Sequence, residues 1–127
     1  MTKELPQPTD AELAILRILW ERGPSTVREV HRVLDHIKRT GYTTALKLMQ
    51  IMTDKGLVTR DESQRTHAYT AKRAAEETQR QLVADLMDRA FGGAAQAMVM
   101  RALSVKKASK EELKEIRKLV NQLEKQS

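Results

Sequence analysis

A chain of 127 residues, 40% hydrophobic and 31% charged, has room for one ordinary domain or for a small domain with an appendage, within the range of soluble globular proteins. Without cysteine it can hold no disulfide, no thiolate metal site and no cysteine nucleophile. A net charge of +6 is compatible with nucleic-acid binding, but the surplus is spread evenly over residues 1–72 and 73–127 and assigns that role to neither half.

One Trp, one Phe and two Tyr leave the core to aliphatic side chains and Met, which suits helices better than a sandwich or barrel. The first ten residues, MTKELPQPTD, lack the apolar stretch of a signal peptide, and no apolar run is long enough for a bilayer. The expectation is a soluble, cytoplasmic protein.

Residues 1–8 contain Pro6 and Pro8, have little to pack, and read as a flexible arm. Thr9-Asp10-Ala11-Glu12 has the form of a capping box, with Thr9 at the N-cap and Glu12 reaching back. The helix it opens carries Leu13, Ile15, Leu16, Ile18, Leu19 and Trp20, a wide apolar face suited to the centre of a small core. Gly23-Pro24 stops it. Thr26-Val27-Arg28-Glu29 is a second box; Val27, Val30, Val33, Leu34 and Ile37 form the next stripe, with Arg28, His31 and Arg32 off it.

A short connection at Lys38-Arg39-Thr40 leads to a third helix between Gly41 and Gly56. Ala45, Leu48, Met49 and Met52 recur at spacings of three and four, so one stripe can be buried. Off that stripe lie Thr43, Thr44, Lys47 and Gln50, the side-chain types that reach phosphates and base edges in a DNA major groove. Taken alone, such a face is also what any solvated helix shows. Two stripes joined by a turn outline a helix-turn-helix.

After Gly56 the period changes. Leu57–Arg60 and Thr66–Thr70 are β-prone, and Asp61–Arg65 between them is polar and turn-like, which predicts a hairpin that must lean on the helices. From Ala71 to Ala90 there is no strand signal; Leu82, Val83, Leu86, Met87, Ala90 and Phe91 form a helical stripe that Gly92-Gly93 breaks. Residues 94–103 are small and apolar nearly all round. Ser109-Lys110-Glu111-Glu112 is a third capping box, and Leu113, Ile116, Val120 and Leu123 then follow the three-four alternation of a coiled-coil seam. Packing on the first half would cover these helices. A second copy of the chain covers more sides and suits a two-fold site. The reading is a mostly α chain with a small β-hairpin: a winged helix-turn-helix over 1–72 and a helical dimerisation region over 73–127.

The chain resembles the penicillinase-repressor family of bacterial transcriptional regulators, the BlaI/MecI/CopY type. The resemblance rests on Thr9–Leu13, Ile15-Leu16, Leu19-Trp20, Gly23-Pro24, Thr26–Val30, Gly41–Thr44, Lys55–Val58, Tyr69, and Leu86 to Gly93. It implies a dimeric repressor whose winged helix binds a palindromic operator, whose C-terminal helices form the dimer, and which controls β-lactam-response genes until a sensor-activated protease cuts it. Three departures stand out. The absence of cysteine excludes the copper-sensing thiolates of one branch. Arg101-Ala102 occupies the place of the Asn-Phe pair at which members are cut. Lys47 and Ile51 stand where Thr and Arg are expected in the recognition helix.

Thr43, Thr44, Lys47 and Gln50 are therefore the candidate groove-facing set: Thr can bond either base type, Gln can pair with adenine, and Lys favours guanine or phosphate. Arg28, Arg32 and Arg39 are candidate backbone clamps, and Arg65 and His67 on the wing could touch phosphate or the minor groove, each weighed against a plain solvated side chain. Tyr42 either packs or hydrogen-bonds a phosphate. Leu82, Leu86, Phe91, Met98, Val99, Leu103, Leu113, Ile116, Val120 and Leu123 are the candidate dimer residues.

His31, His36 and His67 do not stand at ligand-pair spacing and read as surface or wing residues, so no metal or cofactor is expected. Glu76-Glu77, Asp85 with Asp88, and Glu111-Glu112 sit beside Arg or Lys on amphipathic helices and read as solvated faces. With no phosphate loop and no nucleophile motif, an enzyme is not expected. The alternative to an operator-binding dimer is a winged-helix module for protein interaction.

Overall fold

The computed structural model describes residues 7–127. In chain order the elements are α1 (Asp10–Arg22), α2 (Val27–Ile37), α3 (Tyr42–Lys55), β1 (Val58–Asp61), β2 (Ala68–Ala71), α4 (Ala75–Phe91), α5 (Ala95–Val105) and α6 (Lys110–Gln126). Residues 1–6 of the expected arm lie outside the described residues.

Three helices begin where side chains satisfy their first amides. Thr9 Oγ1 accepts the Glu12 N–H at 3.2 Å while Glu12 Oε1 accepts the Thr9 N–H at 2.9 Å. Thr26 with Glu29 and Ser109 with Glu112 repeat the exchange at α2 and α6. At its far end α3 closes on Gly56, whose φ of 78° lies in the left-handed region. A Cβ there would meet only Lys72 Nζ at 3.8 Å, an ordinary contact, so the cost of Gly56→Ala is conformational. We expect about 1 kcal/mol of lost stability, read as a lower thermal midpoint with an unchanged fold.

Ile15, Leu16, Ile18 and Leu19 from α1, Val27, Val30 and Leu34 from α2, and Ala45, Met49 and Met52 from α3 close one core with Leu57, Val58 and Tyr69. Leu48, Val33 and Trp20 pack at its margin. Trp20 belongs to the edge rather than the centre because its indole N–H needs a partner, and it finds the Arg73 carbonyl at 3.0 Å. Ile37, expected to extend the α2 stripe, is instead 67% exposed. It is the last residue of the helix, and its stripe runs on past the end of the core.

Glu12 is both cap and strut. It is buried, and Lys55 Nζ on the last turn of α3 donates to it at 2.9 Å. Burial pushes its carboxyl up, but the Thr9 backbone N–H and the Lys55 ammonium together outweigh that and hold it below the usual carboxylate range.

β1 and β2 pair antiparallel with Val58 opposite Ala71 and Asp61 opposite Ala68. The strands sit one to two residues later than the sequence suggests. Thr66 and His67 precede β2, and Ala71, expected to begin a strand-free stretch, is its last residue. Pairing decides this: beyond Ala71, Lys72 N–H still donates to the Leu57 carbonyl at 3.0 Å. On the other side of β2, Ser25 exchanges both backbone bonds with Tyr69, at 3.0 and 2.8 Å, so the α1–α2 loop acts as a third, one-residue strand.

The chain divides into two compact units, one up to Val83 and one from Ala84 to Ser127. The expected boundary at 72/73 precedes α4; the division falls inside that helix. Within the first unit Thr78 of α4 is buried, lining a small recess with Leu16 and Leu57. The second unit holds the end of α4, then α5 and α6. Gly92 and Gly93, at φ 56° and 83°, turn the chain between α4 and α5. No residue from 84 to 127 is buried. No helix among the described residues is long and apolar enough to cross a membrane.

Candidate nucleic-acid interface

At about 100° per residue, burying Ala45, Met49 and Met52 turns Thr43, Lys47 and Gln50 outward, with Thr44 on one shoulder and Tyr42 on the other. Thr43, Thr44, Lys47 and Gln50 are all exposed, and among the described residues none of the four has an ion pair or side-chain hydrogen bond. Asp54 shares the outward ridge one turn beyond Gln50 and is also exposed. Its carboxylate would repel a phosphate, so the usable part of the ridge is its N-terminal half.

That end of the helix is left open. Gly41 supplies no side-chain cap, and the first turn of α3 carries no acid, unlike α1, α2 and α6. Its first N–H groups and the positive end of its dipole are thus turned toward solvent without a competing carboxylate.

Basic side chains flank α3 on both sides. On one, Arg28, Tyr42, Arg65 and His67 line an open cleft of about 470 Å³ together with Thr26, Leu46 and Thr66. The first turn of α2, the first turn of α3 and the wing meet there. On the other, Lys38, Arg39 and Thr44 line a second depression, about 350 Å³, whose floor is Ala11, Ala14, Leu34 and Leu48. Arg28, Arg39 and Arg65 are exposed, and among the described residues no salt bridge involves them. Arg32, exposed one turn after Arg28, lines neither hollow. The basic set therefore brackets the ridge rather than gathering at one point.

Short-range bonds hold the wing tip and the turn before α3. Asp61 Oδ1 accepts the Ser63 N–H at 2.9 Å, and that bond, then the Ser63 hydroxyl, keeps the Asp61 carboxyl below its usual range. Thr40 is gripped from α2: its N–H donates to Asp35 Oδ1 at 2.9 Å, and its carbonyl accepts from His31 Nε2 at 2.7 Å. An acceptor carbonyl fixes the proton on Nε2. The His31 ring also stands edge-on to Tyr42, with centroids 5.7 Å apart and planes at 83°. So His31, read from sequence as an ordinary surface residue, joins α2 to the entrance of α3. Tyr42 packs on that ring rather than in the core and is 44% exposed. Neither this pair nor the lining roles of Leu46 and Thr66 left a sequence signal, since each depends on how separate elements meet. His36 is exposed, and among the described residues no group of His, Asp and Glu could hold a metal ion.

In the second unit the candidate dimer residues Leu86, Val99, Leu103, Leu113, Val120 and Leu123 are exposed, while Phe91, Met98 and Ile116 are only half-buried; Leu82, just before the unit begins, is also half-buried. Arg101 and Ala102 are exposed within α5. Of the paired acids, Asp85 bonds Arg89 at 3.0 Å along its own helix.

A family model described as penicillinase repressor matches residues 8–122. Over 79 residues the chain is 37% identical to the transcriptional regulator BlaI of Mycobacterium tuberculosis, in strains CDC 1551 / Oshkosh and ATCC 25618 / H37Rv alike. That match takes in 61% of this chain and 54% of the relative, so the chain spans about half the length of the curated relatives it matches. Among solved structures, the DNA-binding domain of the repressor BlaI has a TM-score of 0.52 at 22% identity, covering 60% of this chain and 93% of its own. Bacillus licheniformis BlaI, in its monomeric form in complex with the blaP half-operator, gives the same values. H. salinarum RosR, at a TM-score of 0.53 and 17% identity, covers 98% of this chain and 100% of its own. At these identities the structural likeness is one of fold.

Proposed function

From the premise that the chain belongs to the penicillinase repressor family, we propose that it is a DNA-binding transcriptional repressor that holds a palindromic operator as a dimer. α3 enters the major groove, where Thr43, Thr44, Lys47 and Gln50 meet base edges. Arg28, Tyr42 and Arg65 take the phosphates on one side and Arg39 those on the other, with His67 beside the wing and Arg32 a further clamp one turn along α2. The observation that carries the reading is the outward ridge of α3: unpaired, free of acid in its N-terminal half, and bracketed by cations on both shoulders.

Dimerisation is supported by the second unit, in which no apolar side chain is buried. A two-fold copy gives α5 and α6 a cover and sets two α3 helices against two half-sites. The genes controlled are those of the β-lactam response, and a sensor-activated protease relieves repression by cutting α5 near Arg101-Ala102. Mass spectrometry of the chain from induced cells checks that last part: an intact chain after derepression overturns it.

The binding itself is tested by gel-shift titration in salt on the promoter upstream of the gene. Affinity falls steeply as salt rises, and Lys47→Ala reduces the slope of log K against log salt by about one unit if Lys47 meets one phosphate. Lost affinity with an unchanged slope would move Lys47 to a base. No binding to any palindromic promoter fragment overturns the whole reading in favour of a protein-interaction module.

A further inference from the structure

We propose that His31 is a positioning residue for DNA binding, acting through Tyr42: it holds the Tyr42 ring in the one orientation that presents its hydroxyl to a phosphate beside Arg28 and Arg65. The inference rests on the DNA-binding reading above.

Tyr42 is the first residue of α3, half out of the protein, at the mouth of the cleft that Arg28, Arg65 and His67 share. An exposed tyrosine ordinarily samples several rotamers, and a phosphate contact would have to select one. Here a neighbour is already in place. His31 is half-buried on α2, its Nε2 is committed to the Thr40 carbonyl at 2.7 Å, and its ring edge meets Tyr42 in a T-shaped contact. The Thr40 bond stops the imidazole from rotating away. Asp35, one turn further along α2, holds the Thr40 N–H, so the residue that anchors His31 is itself anchored. The imidazole is thus fixed by the backbone of the turn and stands against the Tyr42 ring, which lines the cleft that Arg28 and Arg65 share. No contact of His31 itself with DNA is needed.

Two measurements test this. The first needs no DNA. The χ1 couplings and ring shifts of Tyr42, read by NMR in the free protein, should show one rotamer in the wild type. In His31→Ala they should be averaged. A single Tyr42 rotamer in His31→Ala overturns the proposal. The second is a double-mutant cycle on a duplex covering the promoter upstream of the gene. His31→Ala should weaken binding about fivefold in the wild-type background and leave it unchanged when Tyr42→Ala is already present, the coupling expected of side chains in contact. An equal loss in both backgrounds, or none in the first, overturns the proposal. So does full recovery by His31→Gln, which would show that the turn bond matters and the ring does not. If the wild type binds no promoter duplex, the DNA-binding reading fails, and the NMR result still decides whether His31 orders Tyr42.

Discussion

Leu113→Lys, Val120→Lys and Leu123→Lys combined should turn the protein into a monomer that keeps its winged unit and loses its operator. The three side chains lie on one face of α6, all exposed in the single chain. The core residues all lie between Ile15 and Tyr69, so nothing that holds the winged unit together is touched. Charges set against charges across a two-fold seam repel, and burying lysines there without partners is costly. What the monomer loses is the second, tethered binding event, which raises overall affinity by a factor of about 100 or more when both half-sites are in reach. We therefore expect sedimentation at the mass of one chain, a drop of that order on a two-fold site, and unchanged affinity for an isolated half-site. A triple variant that still sediments as a dimer would place the interface elsewhere. Equal losses on both DNAs would mean that the winged unit had been damaged.

Glu12→Ala should be the most damaging exchange of a polar residue in the winged unit. It removes the reciprocal half of the α1 capping box and leaves Lys55 without its partner. Because Lys55 is partly exposed, the orphaned ammonium can hydrate, so the penalty stays below that of a fully buried charge. We expect roughly 2–3 kcal/mol, a fall in thermal midpoint of roughly 10–20 °C for a unit of this size. Glu12→Gln keeps an acceptor for the Thr9 amide and loses only the charge, so it should cost about half as much.

Acidity separates the two contributions. The Glu12 carboxyl titrates below the ordinary value of 4.5 in the folded protein. The stability from its charge is therefore fully present above about pH 4.5 and disappears as pH falls through the lower, folded-state value. The gap between wild type and Glu12→Gln, measured by urea titration, should be constant from neutral pH to about pH 5 and close in more acid solution. A gap that persists there would mean that the carboxyl matters for its shape alone.

The features legible in the sequence are those written within a few residues of each other. Thr9 and Glu12, Thr26 and Glu29, and Ser109 and Glu112 announce their helices because the bonds they make span three positions. The stripe Ala45, Met49, Met52 determines which way Thr43, Lys47 and Gln50 turn, so the direction of the ridge could be read from periodicity alone. What escaped depends on distant partners. Glu12 could be read as a cap, but its bond to Lys55 needs the end of α3 to arrive beside the start of α1. His31 carries no local mark of its grip on Thr40. Ile37 shows the opposite error: its spacing is that of the stripe, but the stripe continues where there is nothing left to pack on. Ala71 carries no strand signal because alanine has little preference for strands, and only its partner Val58 puts it in one.

The bridge between Ser25 and Tyr69 has a consequence for variation. Because the hairpin is pinned by the loop ahead of α2 at Tyr69, one pair below its own loop, residues 62–67 can be lengthened, shortened or recoded without moving the strands beneath them. The wing tip can therefore vary freely between relatives while the packing of α3 against α1 and α2 stays untouched.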